Sequence, residues 1–402
     1  MRFEKSYIPY GGYWSSPYSR WQGSLSHLHP LKLAAQVAVK AMAERDISPE
    51  VLDGLIVGMT IPSQSSFYGS PWLAGMIGAK GITGPTISQA CATAGRCLAA
   101  AAFEIESGTH ETELIVTCDK TSNGPHVYYP NPTGIGGMGD KEDWVWDNFG
   151  FDPFAKNSMI QTAENVAKEA GITREEQDEV ALLRHAQYQD ALKDDRAFLR
   201  KFMTIPFEVM DGRGRKVIKT LDSDEGIVST TKEKMAALRP ALPEGTVTPG
   251  TQTFPADGNT ALVVTTRKRA RELGSKDGIE VKLISFGQVR AKIGFMAQAT
   301  VPAAVQALDR AGIGIADVKA IKTHNPFAVN DVYFAKQMGV KVEDMNNYGS
   351  SLIYGHPQAP TGARLIIELI EELAMKGGGY GLFDGCAAGD TAFSVVLRVD
   401  AK

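Results

Sequence analysis

The sequence predicts an α/β protein made of two similar halves, with a segment of different character inserted between them. Three observations predict it. First, the chain repeats itself. At an offset of 266 residues Val39 falls on Val305, Met42 on Leu308, Ile47 on Ile313, Leu52 on Val318 and Leu55 on Ile321. At an offset of 268, Thr93-Ala-Gly-Arg96 falls on Thr361-Gly-Ala-Arg364, and Cys118 falls on Cys386. The apolar phase survives over two separate stretches, which points to duplication and to a pseudo-two-fold centre where both halves build one site. Second, short apolar runs alternate with helical periodicity, the pattern of buried strands between helices. Third, that pattern breaks in the middle of the chain. The expected divisions are therefore 1–120, 121–245 and 246–402.

The elements follow in order. Residues 29–44 carry helical periodicity, and Ile47-Ser-Pro-Glu50 is a second helix start with proline near its first turn. Residues 55–59 (LIVGM) read as a buried strand and 70–77 as a short helix. Residues 92–107 form a strong helix stopped by Gly108, and 114–118 (LIVTC) a strand. From 123 to 154 Gly, Pro, Asn and aromatic residues dominate, with Trp144 and Trp146 among them. Flexible linkers lack tryptophans, so this is an ordered cap over the site. Helices at 162–170 and 173–192 follow, the latter opening on a Thr-x-x-Glu capping box. In the second half, 258–268 is a helix or strand, and 281–288 a strand. The repeated helix and strand lie at 301–312 and 318–322. An amphipathic helix at 361–376 and strands at 380–383 and 392–399 close the chain.

Composition bounds the function. Apolar residues at 43% and charged residues at 22% fit a soluble globular protein of two or three domains. Lys and Arg total 42 against 46 Asp and Glu, a net charge of −4, and no basic run serves nucleic acid. No apolar stretch approaches the roughly 20 residues that span a bilayer. The N-terminal MRFEKSYIPYGGYW lacks the apolar core of a signal peptide, so a cytoplasmic location is expected. The four cysteines form no CxxC pair and no zinc spacing, so neither a metal nor a structural disulfide is expected.

Four residues stand out as chemistry. Cys91, in Ser88-Gln-Ala-Cys-Ala-Thr-Ala-Gly95, lies at a strand-to-helix turn. There the unpaired N–H groups and the dipole of the helix start favour thiolate. His356, in Tyr354-Gly-His-Pro357, is fixed by its flanking Gly and Pro and is placed to deprotonate a thiol. Cys386, in Asp384-Gly-Cys-Ala-Ala-Gly-Asp390, sits in a turn of small residues, where a thiol serves as acid and base. His324, in Thr323-His-Asn-Pro-Phe-Ala328, follows the repeated strand as a further polar group at a strand end. Cys97, six residues into its apolar helix, reads as packing.

Across nearly its whole length the sequence resembles the thiolase superfamily. Ala90-Cys-Ala-Thr-Ala-Gly95 resembles the family's nucleophile segment, and Gly355-His-Pro-Gln-Ala-Pro-Thr-Gly-Ala-Arg364 its GHPxGxTGAR loop. Cys386 matches the second, acid/base cysteine. The segment 238–250 with Asp257-Gly258 resembles the approach to the coenzyme A contact, and Thr162-Ala-Glu-Asn-Val166 with Arg174-Glu-Glu-Gln-Asp178 the loop domain. The resemblance implies a duplicated fold of two βαβαβαββ-type halves in five layers, α-β-α-β-α, with an inserted loop domain. It implies thiolytic cleavage of a 3-oxoacyl-CoA, or the reverse Claisen condensation, through an acyl-Cys91 intermediate. His356 would activate Cys91, and Cys386 would move protons. One oxyanion hole would use His324 and His356, the other the backbone N–H groups of Cys91 and Ala388. Coenzyme A is implied as substrate, with Thr253, Ser158 and Met296 as its contacts.

Three departures bear on the branch. Most of the family has Asn-Glu-x-Phe where this chain has His324-Asn-Pro-Phe327. The usual CxGGG turn is Cys386-Ala-Ala-Gly389, and Ser158 stands where the family has a histidine beside the pantetheine. With the aromatic segment His126-Val-Tyr-Tyr-Pro-Asn-Pro132, these point to an acyl group that is not a simple straight chain. The benzoylsuccinyl-CoA thiolase subunits are one branch the chain resembles, and they imply a small partner with an OB-type fold and a zinc ribbon. A homodimer or larger assembly is also implied. The competing readings are a catalytically altered thiolase-like subunit and a ketoacyl-synthase-like condensing enzyme.

Overall fold

The computed structural model describes residues 2–122, 124–134, 139–275 and 277–401. The repeat seen in the sequence is a repeat of topology. In the first half, strand Gly54–Gly58 runs parallel to Thr112–Lys120, which pairs antiparallel with Ala256–Thr266. In the second, Val318–His324 runs parallel to Gly379–Ala387, which pairs antiparallel with Thr391–Asp400. Cys118 and Cys386 occupy matching places, opposite Asn259 and Ala392 on the neighbouring strand.

Helices stack these strands into layers. Thr93–Ser107 and Ala359–Met375 pack on each other between the two sets of strands, and each touches strands of both halves. Pro30–Glu44 covers the outer face of the first set and Thr300–Ala311 that of the second. The result is the expected α-β-α-β-α order. The largest buried cluster surrounds the two central helices, and smaller ones lie under each outer helix. The short strand Ser6–Ile8 pairs with Ala256–Thr266 on one side and Glu280–Arg290 on the other, so the two sets of strands join into one sheet path.

Three sequence expectations need adjustment. Strand Ala256–Thr266, expected to open the second half, runs in the first half's sheet, paired residue by residue with Thr112–Lys120. Its apolar ALVV is central-strand material, and such a strand goes where a partner edge is free. The 361–376 stretch, which looked like a helix with one wet face, is helix Ala359–Met375, buried on all sides through Leu373. Its charges are paired internally. Arg364 binds Asp224 at 2.6 and 2.8 Å and Glu368 at 2.9 Å, and Glu371 accepts from the hydroxyls of Tyr10 and Tyr13. Third, the segment 47–50 forms only the 3-10 turn Pro49–Val51.

The inserted region holds helices Met159–Ala170 and Arg174–Ala191, the second with the capping box its Thr173 and Glu176 predict. Its aromatic part is a ribbon of His126–Tyr128 against Lys141–Asp143, followed by helix Trp146–Gly150. Asn123 and residues 135–138 of the expected cap lie outside the described residues.

Candidate active site

The nucleophile turn is built by local sequence. Strand Thr86–Ile87 ends, Ala90 enters the left-handed region at φ 44°, and helix Thr93–Ser107 begins two residues after Cys91. Thr93 locks this turn: its hydroxyl donates to the Ala90 carbonyl at 2.7 Å and accepts from the Gln89 N–H at 2.8 Å. Cys91 therefore projects from the helix start into a cavity of about 920 Å³.

The histidine loop arrives from the other half. His356 N–H donates to the Phe254 carbonyl at 2.9 Å, which lays the loop along the start of strand Ala256–Thr266. Gly355 makes this approach possible, since a Cβ there would meet the Phe254 ring at 2.7 Å and Ala256 at 2.9 Å. The ring's Nδ1 is held by the Thr361 hydroxyl at 2.6 Å, and Nε2 lies 3.2 Å from Cys91 Sγ. That is a base within hydrogen-bond reach of a nucleophile. His324, at the end of strand Val318–His324, is oriented the same way. Its Nδ1 bonds the Ser351 hydroxyl at 2.9 Å, while its Nε2 is buried without a hydrogen-bond partner. The two imidazoles lie 4.1 Å apart between ring centroids.

Burial sets the protonation. It pushes the Cys91 thiol up to about 11, against the backbone N–H groups of Ala388 and Cys91 that aim at the sulfur and pull the other way. The sequence expectation of a depressed thiol is corrected here: at the helix start desolvation exceeds the dipole. Burial also pushes His324 down to about 3 and His356 well below the usual histidine range. Both directions favour a thiol beside a neutral imidazole at neutral pH.

Cys386 is fully buried at the end of strand Gly379–Ala387, behind the cavity wall. Burial, with Cys91 nearby, raises its thiol well above the usual range, and Asn330 Nδ2 donates to its sulfur at 3.2 Å. Of the three expected coenzyme A contacts, Ser158, Thr253 and Met296 all line the cavity. The Thr253 hydroxyl already donates to the Ser351 carbonyl, so only its lone pairs face a ligand. The Ser158 hydroxyl accepts the Gln161 N–H at 3.2 Å and keeps its own proton to give.

Sequence reading missed several groups. Asn330 lies on helix Ala328–Met338, and Asp119 accepts N–H bonds from Thr60, Ile61 and Ala359 at 2.8 to 2.9 Å. The aromatic wall also differs. Tyr128 and Tyr129 of the 126–132 segment face solvent, while Trp144, Trp146, Phe149, Phe151 and Phe154 line the cavity. Cys91, His324 and His356 each bring a ligating atom within 4.8 Å of the others, the one such group among the described residues. Spacing along the chain cannot reveal a cluster drawn from three segments.

Comparison with known proteins identifies the family. The model of the thiolase N-terminal domain matches residues 14–268, and that of the thiolase C-terminal domain residues 278–399. Beta-ketothiolase BktB of Cupriavidus necator is 29% identical over 383 residues, covering 94% of this chain and 95% of that protein. The 3-ketoacyl-CoA thiolase of Aliivibrio fischeri is 36% identical over 263 residues, 60% of this chain and 58% of that one. Human mitochondrial 3-ketoacyl-CoA thiolase in complex with CoA superposes with a TM-score of 0.90 at 24% identity, covering all of both chains, which speaks for the fold. No helix among the described residues is long and apolar enough to cross a membrane. Matched through both halves and keeping the cysteine at the nucleophile turn, the chain belongs to the thiolase family and is a thiolase-type acyltransferase with coenzyme A as a substrate.

Proposed function

We propose that the protein cleaves or forms the carbon–carbon bond of a 3-oxoacyl-CoA whose acyl part is bulky and aromatic, through an acyl group carried on Cys91. In cleavage, His356 Nε2 takes the Cys91 proton and the sulfur attacks the 3-oxo carbon. The bond between C2 and C3 breaks, its electron pair passes into a thioester enolate, and Cys386 gives that carbon its proton. Coenzyme A then enters, Cys386 takes its thiol proton, and the new thiolate displaces Cys91 as the acyl group leaves. Cys91 recovers its proton from His356. The unpaired Nε2 of His324 is the donor available to the enolate oxygen, and the Cys91 and Ala388 N–H groups serve the tetrahedral oxyanion.

The observation that carries this reading is the 3.2 Å contact between Cys91 and His356 at a cavity walled by Trp144, Phe149, Phe151 and Phe154. Such a wall takes a planar apolar group by stacking and area burial. Arg290, 4.9 Å over the Phe154 ring, brings positive charge to the same wall and suits the anionic end of coenzyme A. Within this class a benzoylsuccinyl-CoA-type substrate fits, and with it the small partner subunit that branch implies. The inserted residues 121–245 would serve as the cap over the cavity and as the coenzyme A contact.

A panel of CoA esters, followed by thioester absorbance, tests the substrate class. An aryl 3-oxoacyl-CoA is expected to exceed acetoacetyl-CoA in kcat/KM by about 10-fold or more, the scale on which apolar pockets discriminate. Preference for acetoacetyl-CoA would refute the aromatic assignment. A cytoplasmic homodimer or larger assembly completes the proposal. Strand Thr86–Ile87 is an uncovered sheet edge, and Phe67 nearby is 94% exposed. Sedimentation giving monomer alone at micromolar concentration would contradict the assembly.

A further inference from the structure

Gln358 is the one residue of the histidine loop 355–360 other than glycine that sits at positive φ. Its φ of 65° and ψ of −105° suit glycine and oppose an L side chain. The chain on both sides is pinned: the next N–H, of Ala359, donates to Asp119 at 2.9 Å, and the Gln358 carbonyl accepts from the Thr361 N–H at 3.2 Å. Its side chain is 6% exposed, lines the cavity, and turns its amide toward the catalytic pair. The oxygen Oε1 lies 3.3 Å from Cys91 Sγ, nearly the 3.2 Å of His356 Nε2. The same amide also supports the protonated form of His356.

We propose that Gln358 is a further catalytic residue, the acceptor that steadies the proton passing from Cys91 to His356. In the resting enzyme the thiol has two acceptors in reach, Gln358 Oε1 and His356 Nε2. When the S–H bond breaks, the proton joins Nε2, and the electron pair stays on sulfur for attack. The new N–H has Gln358 Oε1 beside it, which lowers the cost of an imidazolium in a buried place. His324, 4.1 Å away between ring centroids, does not do this, because its Nε2 serves as a donor in the proposed reaction. A strained glutamine is thus kept where glycine would relax the loop, because the amide is needed at the sulfur.

Gln358→Gly separates the chemical role from a structural one, since it removes the amide and relieves the strain together. The readout is the rate of Cys91 alkylation by iodoacetamide at neutral pH, read by peptide mapping without any CoA ester, alongside Tm. It is therefore independent of the substrate assignment. The glycine variant is expected to melt at or above wild type and to alkylate about 10-fold more slowly, the scale of a hydrogen bond to a charged group. Gln358→Glu keeps an acceptor oxygen and is expected to alkylate at the wild-type rate or faster. Alkylation of the glycine variant within about two-fold of wild type would overturn the proposal. So would a glutamate variant that falls as far as glycine.

Discussion

At the scale of single residues, the site works by placing neutral groups close together and leaving charge to appear only when bonds change. Cys91 raised to about 11 and His356 depressed both favour the uncharged pair, so catalysis depends on donors fixed where charge develops. In the proposed mechanism His324 is the clearest such donor. Its Nδ1 is held by Ser351, and its buried Nε2 has nothing else to bind. His324→Ala is expected to slow the carbon–carbon step about 10²–10³-fold, the usual loss for one such donor. In the same mechanism acylation of Cys91 relies on the backbone N–H groups and should be largely spared. Stopped-flow measurement of the two half-reactions separates these, and equal losses would make His324 structural. Cys91, His356, Cys386 and His324 stood out in the sequence as candidates because each lies at a strand or helix end among small or turn-forming residues. Gln358, Asn330 and Asp119 were not, because their roles arise from contacts across the chain that no local pattern encodes.

At the scale of elements, periodicity located most strands and helices but misjudged those whose polar residues are buried. Helix Ala328–Met338 went unread because Asn330 and Asp331 interrupt its apolar pattern, yet both are buried, with Asp331 paired to Arg184 at 2.9 Å. Strands as short as Ser6–Ile8 and Tyr13–Ser15 carry too few residues for an alternation to register. The central helix Ala359–Met375 showed the opposite error, since its charged face looked solvated and is in fact internally paired. Arg364 has no exposure, and its loss would strand Asp224 and Glu368 as buried carboxylates. Arg364→Met is therefore expected to destabilise the protein by about 3–5 kcal/mol, the cost of breaking one side of a buried pair. Chemical denaturation measures this, and a change under about 1 kcal/mol would mean the network is dispensable.

At the scale of the whole molecule, duplication explains where the site lies. Each half contributes one central helix, Thr93–Ser107 and Ala359–Met375, and their N-terminal ends bring Cys91 and the His356 loop to one cavity. The duplication was visible in the sequence because apolar phase in packed helices and strands is hard to change. The boundary near 246 was not, because strand Ala256–Thr266 reads alike in either sheet and its partner is chosen by the fold. Of the aromatic residues the sequence singled out in the inserted region, Trp144 and Trp146 line the cavity while Tyr128 and Tyr129 face solvent, since exposure cannot be read from composition. The central claim is that the two halves meet to make Cys91 an acyl carrier. Mixing the protein with an acyl-CoA, quenching in acid and measuring intact mass with peptide mapping tests it most directly. The account predicts one acyl group, on Cys91, absent in Cys91→Ala and released by free coenzyme A. An acyl group mapping elsewhere, or persisting in Cys91→Ala, would contradict it.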